Sequence, residues 1–139
     1  MIDLQQKIFD ATKELQLMNF ATITEDGKPW VRYVVGKADN DLLFRFCTHL
    51  NTKKVNQIKK NPNVHISMGA TDMKTAKNWL QVEGTATILT DKTERQAFWF
   101  DALNRYFTGP DDPQYCVVIV RPSRVQFGTV LAPLTRSRT

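Results

Sequence analysis

Residues 42–66, LLFRFCTHLNTKKVNQIKKNPNVHI, constrain the fold more than any other stretch of the chain. They open on a strict alternation, Leu42, Phe44 and Phe46 on one side and Leu43, Arg45 and Cys47 on the other, which is strand periodicity. Residues 48–52 turn the chain, and a short helix follows with Val55 and Ile58 on its buried side. Asn61-Pro62 ends that helix, because the residue before a proline is pushed out of the helical region. A second apolar run, Val64, Ile66 and Met68, leads back into a sheet.

The first turn of the helix breaks a local rule. Asn51 or Thr52 is a natural N-cap, yet the next two residues are Lys53 and Lys54. Cations there oppose the helix dipole, whose positive end and unpaired N–H groups already lie at the N-terminus. The conflict disappears if an anion docks, since amides, dipole, hydroxyls and two ammonium groups would all face it. The plain alternative is a pair of solvated lysines on a short exposed helix. Lys59 and Lys60, in the last turn, complement the dipole and carry no such message.

The charge of the chain is as local as that turn. The net charge is +5, but residues 28–60 hold eight basic side chains (Lys28, Arg32, Lys37, Arg45, Lys53, Lys54, Lys59, Lys60) against Asp39 and Asp41. A positive field confined to one region suits an anionic ligand, either a phosphate-bearing small molecule or nucleic acid. The length fits one domain with its own core, taken as residues 1–132, followed by a polar tail at 133–139. No apolar run reaches membrane-spanning length, and MIDLQQKIFD has neither a basic n-region nor an apolar h-region, which predicts a cytoplasmic protein without a membrane partner. Cys47 and Cys116 lack CxxC spacing and read as a reduced, structural pair.

Along the chain, Asp3 with Gln6 resembles a capping box, and Leu4, Ile8, Ala11 and Leu15 predict a helix over residues 3–16. Residues 18–24 and 29–35 read as strands joined by the hairpin signal Glu25-Asp26-Gly27-Lys28. A polar turn at 38–41 enters the third strand, and 64–68 is the fourth. After a polar connection over 71–78, residues 79–89 form a long strand with Trp79, Gln81 and Glu83 on one face and Leu80 and Val82 on the other. Gly84 marks a bulge or a barrel bend in it. Asp91 and Glu94 cap a helix bearing Phe98, Trp99, Ala102, Leu103, Tyr106 and Phe107, which ends at Thr108-Gly109-Pro110. Residues 115–120 are a buried apolar strand, and 124–130 continue the sheet beyond Pro122. About six short strands with helices only at intervals predict a small antiparallel barrel with peripheral helices.

Catalytic constellations are scarce. His49 and His65 are too poorly accompanied for a metal site, and Cys47 with His49 lacks a third orienting group. There is no P-loop and no GxGxxG. A cationic pocket without an evident acid, base or nucleophile points to a bound cofactor that brings its own reactivity.

These residues carry a resemblance. Thr48, then Thr52-Lys53-Lys54, followed by Asn61-Pro62, resembles the phosphate-binding turn of the pyridoxamine 5′-phosphate oxidase-like FMN-binding split barrels. Phe20-Ala21-Thr22-Ile23 and Gly27-Lys28-Pro29-Trp30-Val31-Arg32 fit the preceding hairpin. The run from Arg32 through Tyr33 and Val34 to Lys37 is similar to that family's stretch in which the arginine contacts the flavin phosphate. Leu80-Gln81-Val82-Glu83-Gly84-Thr85-Ala86 matches its long central strand. Trp99, Tyr106-Phe107 and Gly109-Pro110-Asp111-Asp112-Pro113 are most similar to the general stress protein branch.

The resemblance implies a six-stranded antiparallel Greek-key split barrel that forms a homodimer with FMN at the subunit interface. Arg32, Thr52, Lys53 and Lys54 would hold the phosphate, while Thr48 and the backbone around Val34 would border the ribityl chain or ring. Trp79, Gln81 or Trp99 would flank the isoalloxazine, each tryptophan having a plain alternative as core. The chain is shorter than the true oxidase and lacks its C-terminal substrate-binding arginine and histidine motif, so FMN binding is expected without vitamin B6 oxidation. The expected activity is that of a flavin-dependent oxidoreductase with an unnamed small-molecule substrate or electron donor. One rival is a flavin store or sensor without turnover. The other is a single-stranded nucleic-acid binder, because Trp30, Arg32, Phe44, Arg45 and Phe46 interleave basic and aromatic residues on strands, although no RNP-like signature accompanies them.

Overall fold

A computed structural model describes residues 3–74, 79–128 and 130–132, the last three by their backbone. Its elements are α1 (Leu4–Thr12), β1 (Gln16–Ile23), β2 (Pro29–Ala38), β3 (Phe44–His49), α2 (Lys53–Lys60), β4 (Asn63–Met68), β5 (Leu80–Leu89), α3 (Lys92–Phe98), a 3-10 turn (Asp101–Arg105), β6 (Tyr115–Phe127) and β7 (Val130–Ala132). Every described pairing is antiparallel, in the order β3-β2-β1-β4-β5-β6-β7. A further pairing of β3 with β6 closes strands β1 to β6 into the expected six-stranded barrel, and β7 is a short extension on the end of β6. The expected tail at 133–139 and part of the polar connection, residues 75–78, lie outside the described residues.

The barrel closes because alternate residues of each strand are apolar and short turns hold the register. Phe20, Phe44 and Phe46 are fully buried with Met18, Ile66, Leu80 and Val82, and Ile8 of α1 completes the core. Phe20 and Phe46 meet edge to face at 4.6 Å, a geometry that adds about 0.5–1.5 kcal/mol beyond the area it buries. Gly36 is required where β2 crosses β3, since a Cβ there would lie 2.4 Å from the Arg45 carbonyl. The bend anticipated at Gly84 is present, with the register shifting between Glu83 and Gly84.

That bulge explains one difference from the sequence reading. Residues 115–127 form a single strand through Pro122, because Pro122 stands opposite Gly84, where the ladder is already irregular and a missing N–H costs least. The helix expected to run from Asp91 to Phe107 is broken as well. α3 ends at Phe98, Trp99 and Phe100 are extended, and a 3-10 turn follows. Phe98, Trp99 and Phe100 all pack in one satellite core with Leu103, Phe107 and Tyr115, and three consecutive residues of a continuous helix cannot face one side. α1 stops at Thr12, short of Gln16, which instead begins β1. Thr12 Oγ1 donates back to the Ile8 carbonyl at 2.8 Å, and Gln16 Nε2 donates to the Ala11 carbonyl at 3.0 Å. Asp3 caps α1 as expected, accepting from the Gln6 amide. Among the described residues no helix is long and apolar enough to cross a membrane.

Candidate functional site

α2 packs across one end of the barrel, against β1 and β5, and brings the basic residues of the turn towards β2. Arg32 lies beside Phe20 in the β1–β2 register and half-buries its guanidinium, 6.0 Å from that ring. Nη1 donates to Thr22 Oγ1 at 2.8 Å and to the Phe20 carbonyl at 3.3 Å, and Nη2 donates to Gln57 Oε1 at 3.2 Å. None of these acceptors is charged. The Nε hydrogen and one Nη2 hydrogen have no acceptor among the described residues.

Lys54 faces the same space from the first turn of α2. Its Nζ donates to Thr48 Oγ1 at 3.0 Å, and no carboxylate among the described residues pairs with it. Burial, and after it the positive charge of Arg32, pull Lys54 below the ordinary lysine range. Burial likewise lowers Arg32. Burial thus disfavours both charges, and Arg32 adds to the effect on Lys54, an arrangement that a bound anion would relieve.

The N-terminus of α2 adds to this. Thr52 occupies the N-cap position in extended conformation, but it makes no cap hydrogen bond, since its hydroxyl donates to the His49 carbonyl at 2.9 Å. The opening amides of the helix are left without a side-chain acceptor, in the position that favours an anion. Lys53 is exposed.

The other residues named from the sequence fall into separate places. Val34 lines the same face of β2 as Arg32 and packs on the main core. Tyr33 is on the outer face, where a transverse row runs through Tyr33, Asn19, Ser67, Gln81 and Gln126 on five adjacent strands. Asn19 Nδ2 donates to Ser67 Oγ within it. Tyr33 and Gln81 therefore share one polar stripe across the barrel. Trp79 is half-buried just before β5, and its carbonyl accepts from the Gly128 amide. Lys37 is on the outer face beside Arg45, roughly 17 Å along the strand from Arg32. Trp99 belongs to the satellite core, 5.3 Å from the Tyr115 ring, on the opposite face of the β3–β6 pair from Thr48. The fold brings Arg32, Thr48, Thr52 and Lys54 together; it does not bring Lys37 or Trp99 to them within one chain.

Gln57 and Thr22 are the site residues that sequence reasoning missed. The signal was slight: a polar side chain flanking the buried pair Val55 and Ile58, and a threonine inside an apolar strand.

Other chemistry is absent from this region. Burial pushes the Cys47 thiol up to about 12, and His49 is held by the Tyr106 carbonyl at 2.8 Å and stacked on Phe107. Cys116 pairs in register with Thr48 and Cys47 with Val117, so the two thiols face opposite sides of the sheet. No cluster able to hold a metal occurs among the described residues. Phe44 and Phe46 are fully buried, and Arg45 is bound to Asp39 and Glu94, so these residues present no stacking surface.

A closed six-stranded antiparallel barrel with a cationic turn at one end is an architecture with known relatives. Residues 4–128 match the pyridoxamine 5′-phosphate oxidase family, and the chain belongs to it. It is 29% identical over 124 residues to general stress protein 26 of Bacillus subtilis, covering 89% of this chain and 87% of that protein. The solved structure of general stress protein 26 from Bacillus anthracis superposes with a TM-score of 0.81 at 27% identity, over 91% of this chain and 94% of that one. Pyridoxine/pyridoxamine 5′-phosphate oxidase of Leptospira interrogans is 28% identical over 85 residues, which is 61% of this chain and 38% of that enzyme.

Proposed function

We propose that this chain binds FMN by its phosphate and serves as a flavin-dependent oxidoreductase, working as a homodimer. The observation that carries the reading is the facing pair of half-buried cations, Arg32 and Lys54, with no carboxylate partner among the described residues. Their donors, the Thr48 hydroxyl and the uncapped start of α2 fit a phosphate monoester dianion. The ligand we assign to it is FMN, which when bound supplies hydride or electron transfer through its own ring. The chain's own residues would bind and orient: Arg32 and Lys54 on the phosphate, the backbone by Val34 along the ribityl chain, and the polar stripe from Tyr33 to Gln81 beside the ring.

The dimer supplies what one barrel lacks. Leu17, Val31, Tyr33 and Val35 make an apolar patch on the outer face of β1 and β2, each between 47% and 74% exposed. Exposed patches of this kind mark interaction surfaces, and a second copy seated here would cover the flavin from its other side. Vitamin B6 oxidation is not proposed, since the chain spans only 38% of the oxidase it matches.

A flavin store or sensor without turnover is the second reading. It is favoured by the commitment of His49 to the Tyr106 carbonyl, which leaves no free imidazole by the turn among the described residues. An absorbance spectrum of freshly purified protein and a titration of apo protein with FMN test the binding. Absence of fluorescence quenching at tens of micromolar FMN refutes it. Anaerobic mixing of the FMN-loaded protein with NADH and NADPH then tests the second reading, because bleaching of the flavin refutes a store without turnover.

A further inference from the structure

We infer that Gln57 is a positioning residue of the anion site, a neutral acceptor that fixes Arg32 against α2 while leaving its positive charge unspent. The inference rests on the phosphate reading of Arg32 and Lys54. Gln57 is 5% exposed, and its Oε1 accepts from Thr22 Oγ1 at 2.5 Å and from Arg32 Nη2 at 3.2 Å. Thr22, fully buried, accepts in turn from Arg32 Nη1. The three side chains close a triangle that ties β1, β2 and α2 together. The orientation of the amide is forced, since a guanidinium only donates and the oxygen must therefore face it.

The first consequence is geometric. Gln57 lies one turn after Lys54 on α2, so the bond from Arg32 to Gln57 sets the distance at which the two cations face each other. The second is electrostatic. Glutamate has the same reach and would accept the same two hydrogen bonds, but its charge would pair with Arg32 and cancel much of the attraction for an anion. The neighbouring strand provides the contrast. Arg45 of β3 is clasped by two carboxylates, Asp39 at 2.6 Å and Glu94 at 3.0 Å, and ties the β2–β3 turn to α3. Arg32 is as thoroughly held, yet by the Phe20 carbonyl, a hydroxyl and an amide. Holding a half-buried arginine with neutral groups forgoes ion pairing and keeps the charge for a ligand.

The test compares Gln57→Glu and Gln57→Met with wild type, using inorganic phosphate, FMN and riboflavin as probes and ligand-free melting as the measure of folding. The Glu variant should melt at or above the wild-type temperature, lose about tenfold or more in affinity for phosphate and FMN, and keep its riboflavin affinity. The Met variant fills the same space without an acceptor. It should melt lower, lose FMN affinity by a smaller factor than the Glu variant, and also keep riboflavin. Should the Glu variant fail to fold, loss of phosphate affinity by the Met variant with riboflavin binding intact sustains the role. Wild-type affinity for phosphate and FMN in the Glu variant overturns it, as does a parallel fall for FMN and riboflavin in either variant. Wild-type protein that binds phosphate but not FMN refutes the flavin reading alone, and the phosphate comparison still decides on Gln57. A wild type that responds to neither refutes both.

Discussion

Lys54 Nζ donates to Thr48 Oγ1 at 3.0 Å, joining the first turn of α2 to the last buried position of β3. A lysine at a helix N-terminus should repel the dipole there and extend into water. This one instead turns into a half-buried space shared with Arg32. The contact spans the turn of residues 49–52, so the ammonium group is tied back to β3 beside the uncapped start of α2.

Lys54→Ala should weaken FMN binding roughly ten- to a hundredfold, the equivalent of one charge-assisted hydrogen bond of about 1.5–3 kcal/mol. Riboflavin, which lacks the phosphate, should bind the variant almost as it binds wild type. Lys59→Ala, at the far end of the same helix, is the control and should change little. Equal losses for Lys54 and Lys59 in a fluorescence titration would mean a diffuse positive field rather than a clamp. Lys53→Ala, at an exposed position, should fall between the two.

The lowered pKa of Lys54 gives a pH dependence of definite sign. In the folded apo protein the ammonium form is disfavoured by burial and then by Arg32, so the unfolded chain binds the proton more tightly. Apo stability should therefore rise with pH through the lowered folded value and level off above the ordinary lysine range. FMN affinity should move oppositely over the same alkaline interval, since the neutral amine no longer pairs with a phosphate. Lys54→Met should abolish both trends, as measured by melting and titration from neutral to alkaline pH.

The barrel was legible because its strands alternate cleanly. Phe44, Phe46, Leu80 and Val82 are buried where the two-residue period put them, and Gly84 bends β5 as its place in the strand suggested. The turn proposed as the anion site stood out through a violated rule, two lysines where a helix favours acids. The rest depended on contacts between distant segments. Nothing local in Gln57 or Thr22 shows that α2 will lay the one against the other, and nothing in residues 98–107 shows that three adjacent aromatics will share one small core and break the helix. Lys37 was linked to Arg32 by the family resemblance, yet the pleat of β2 places it on the other face.

Both thiols should be silent in the native protein. Cys47 is raised to about 12 by burial, and Cys116 is fully buried and raised by the same cause. At pH 8 neither holds an appreciable thiolate fraction, so a thiol-disulfide reagent should report no reaction until denaturant is added. Cys47→Ala should leave FMN affinity unchanged. Rapid labelling of Cys47 under native conditions would reopen a nucleophilic role for it.

Gly36→Ala should destabilise the barrel by about 1–3 kcal/mol, the range for overpacking a tight core. Its Cβ would meet the Arg45 carbonyl at 2.4 Å and Met18 Cε at 2.6 Å. The methionine end can move, but the carbonyl belongs to the β2–β3 ladder and cannot. Gly27→Ala is the comparison. Nothing lies within 4 Å of a Cβ there, and its cost comes from the positive φ of 81° alone. A Gly36→Ala variant with wild-type melting would mean that β3 shifts freely against β2.

The outer face of β1 and β2 leads to the last expectation. Leu17 lies opposite Val35, and Val31 opposite Ala21, so apolar side chains are neighbours across the strand pair, with Tyr33 between Val31 and Val35. On the outer face of β5 and β6 beyond the satellite core the strands carry polar groups, as at Glu83, which pairs with Arg124 at 2.8 Å. This strand pair departs from that pattern, and it is the face on which the proposed second copy would sit. Val31→Lys should convert the protein from a dimer to a monomer of 16.0 kDa in sedimentation, because an unpaired ammonium group would be buried in the contact. Affinity for FMN and for riboflavin should fall together, since what is lost is the wall over the ring and not the phosphate clamp. That pattern is the reverse of the one expected for Lys54→Ala, which spares riboflavin. Met73→Lys, at an exposed apolar residue in the connection after β4 rather than on the β1–β2 face, should alter neither association nor binding. If wild type sediments as a monomer with flavin bound, or if Val31→Lys remains a dimer, this face is not the seat of association and the flavin must be covered by the single chain.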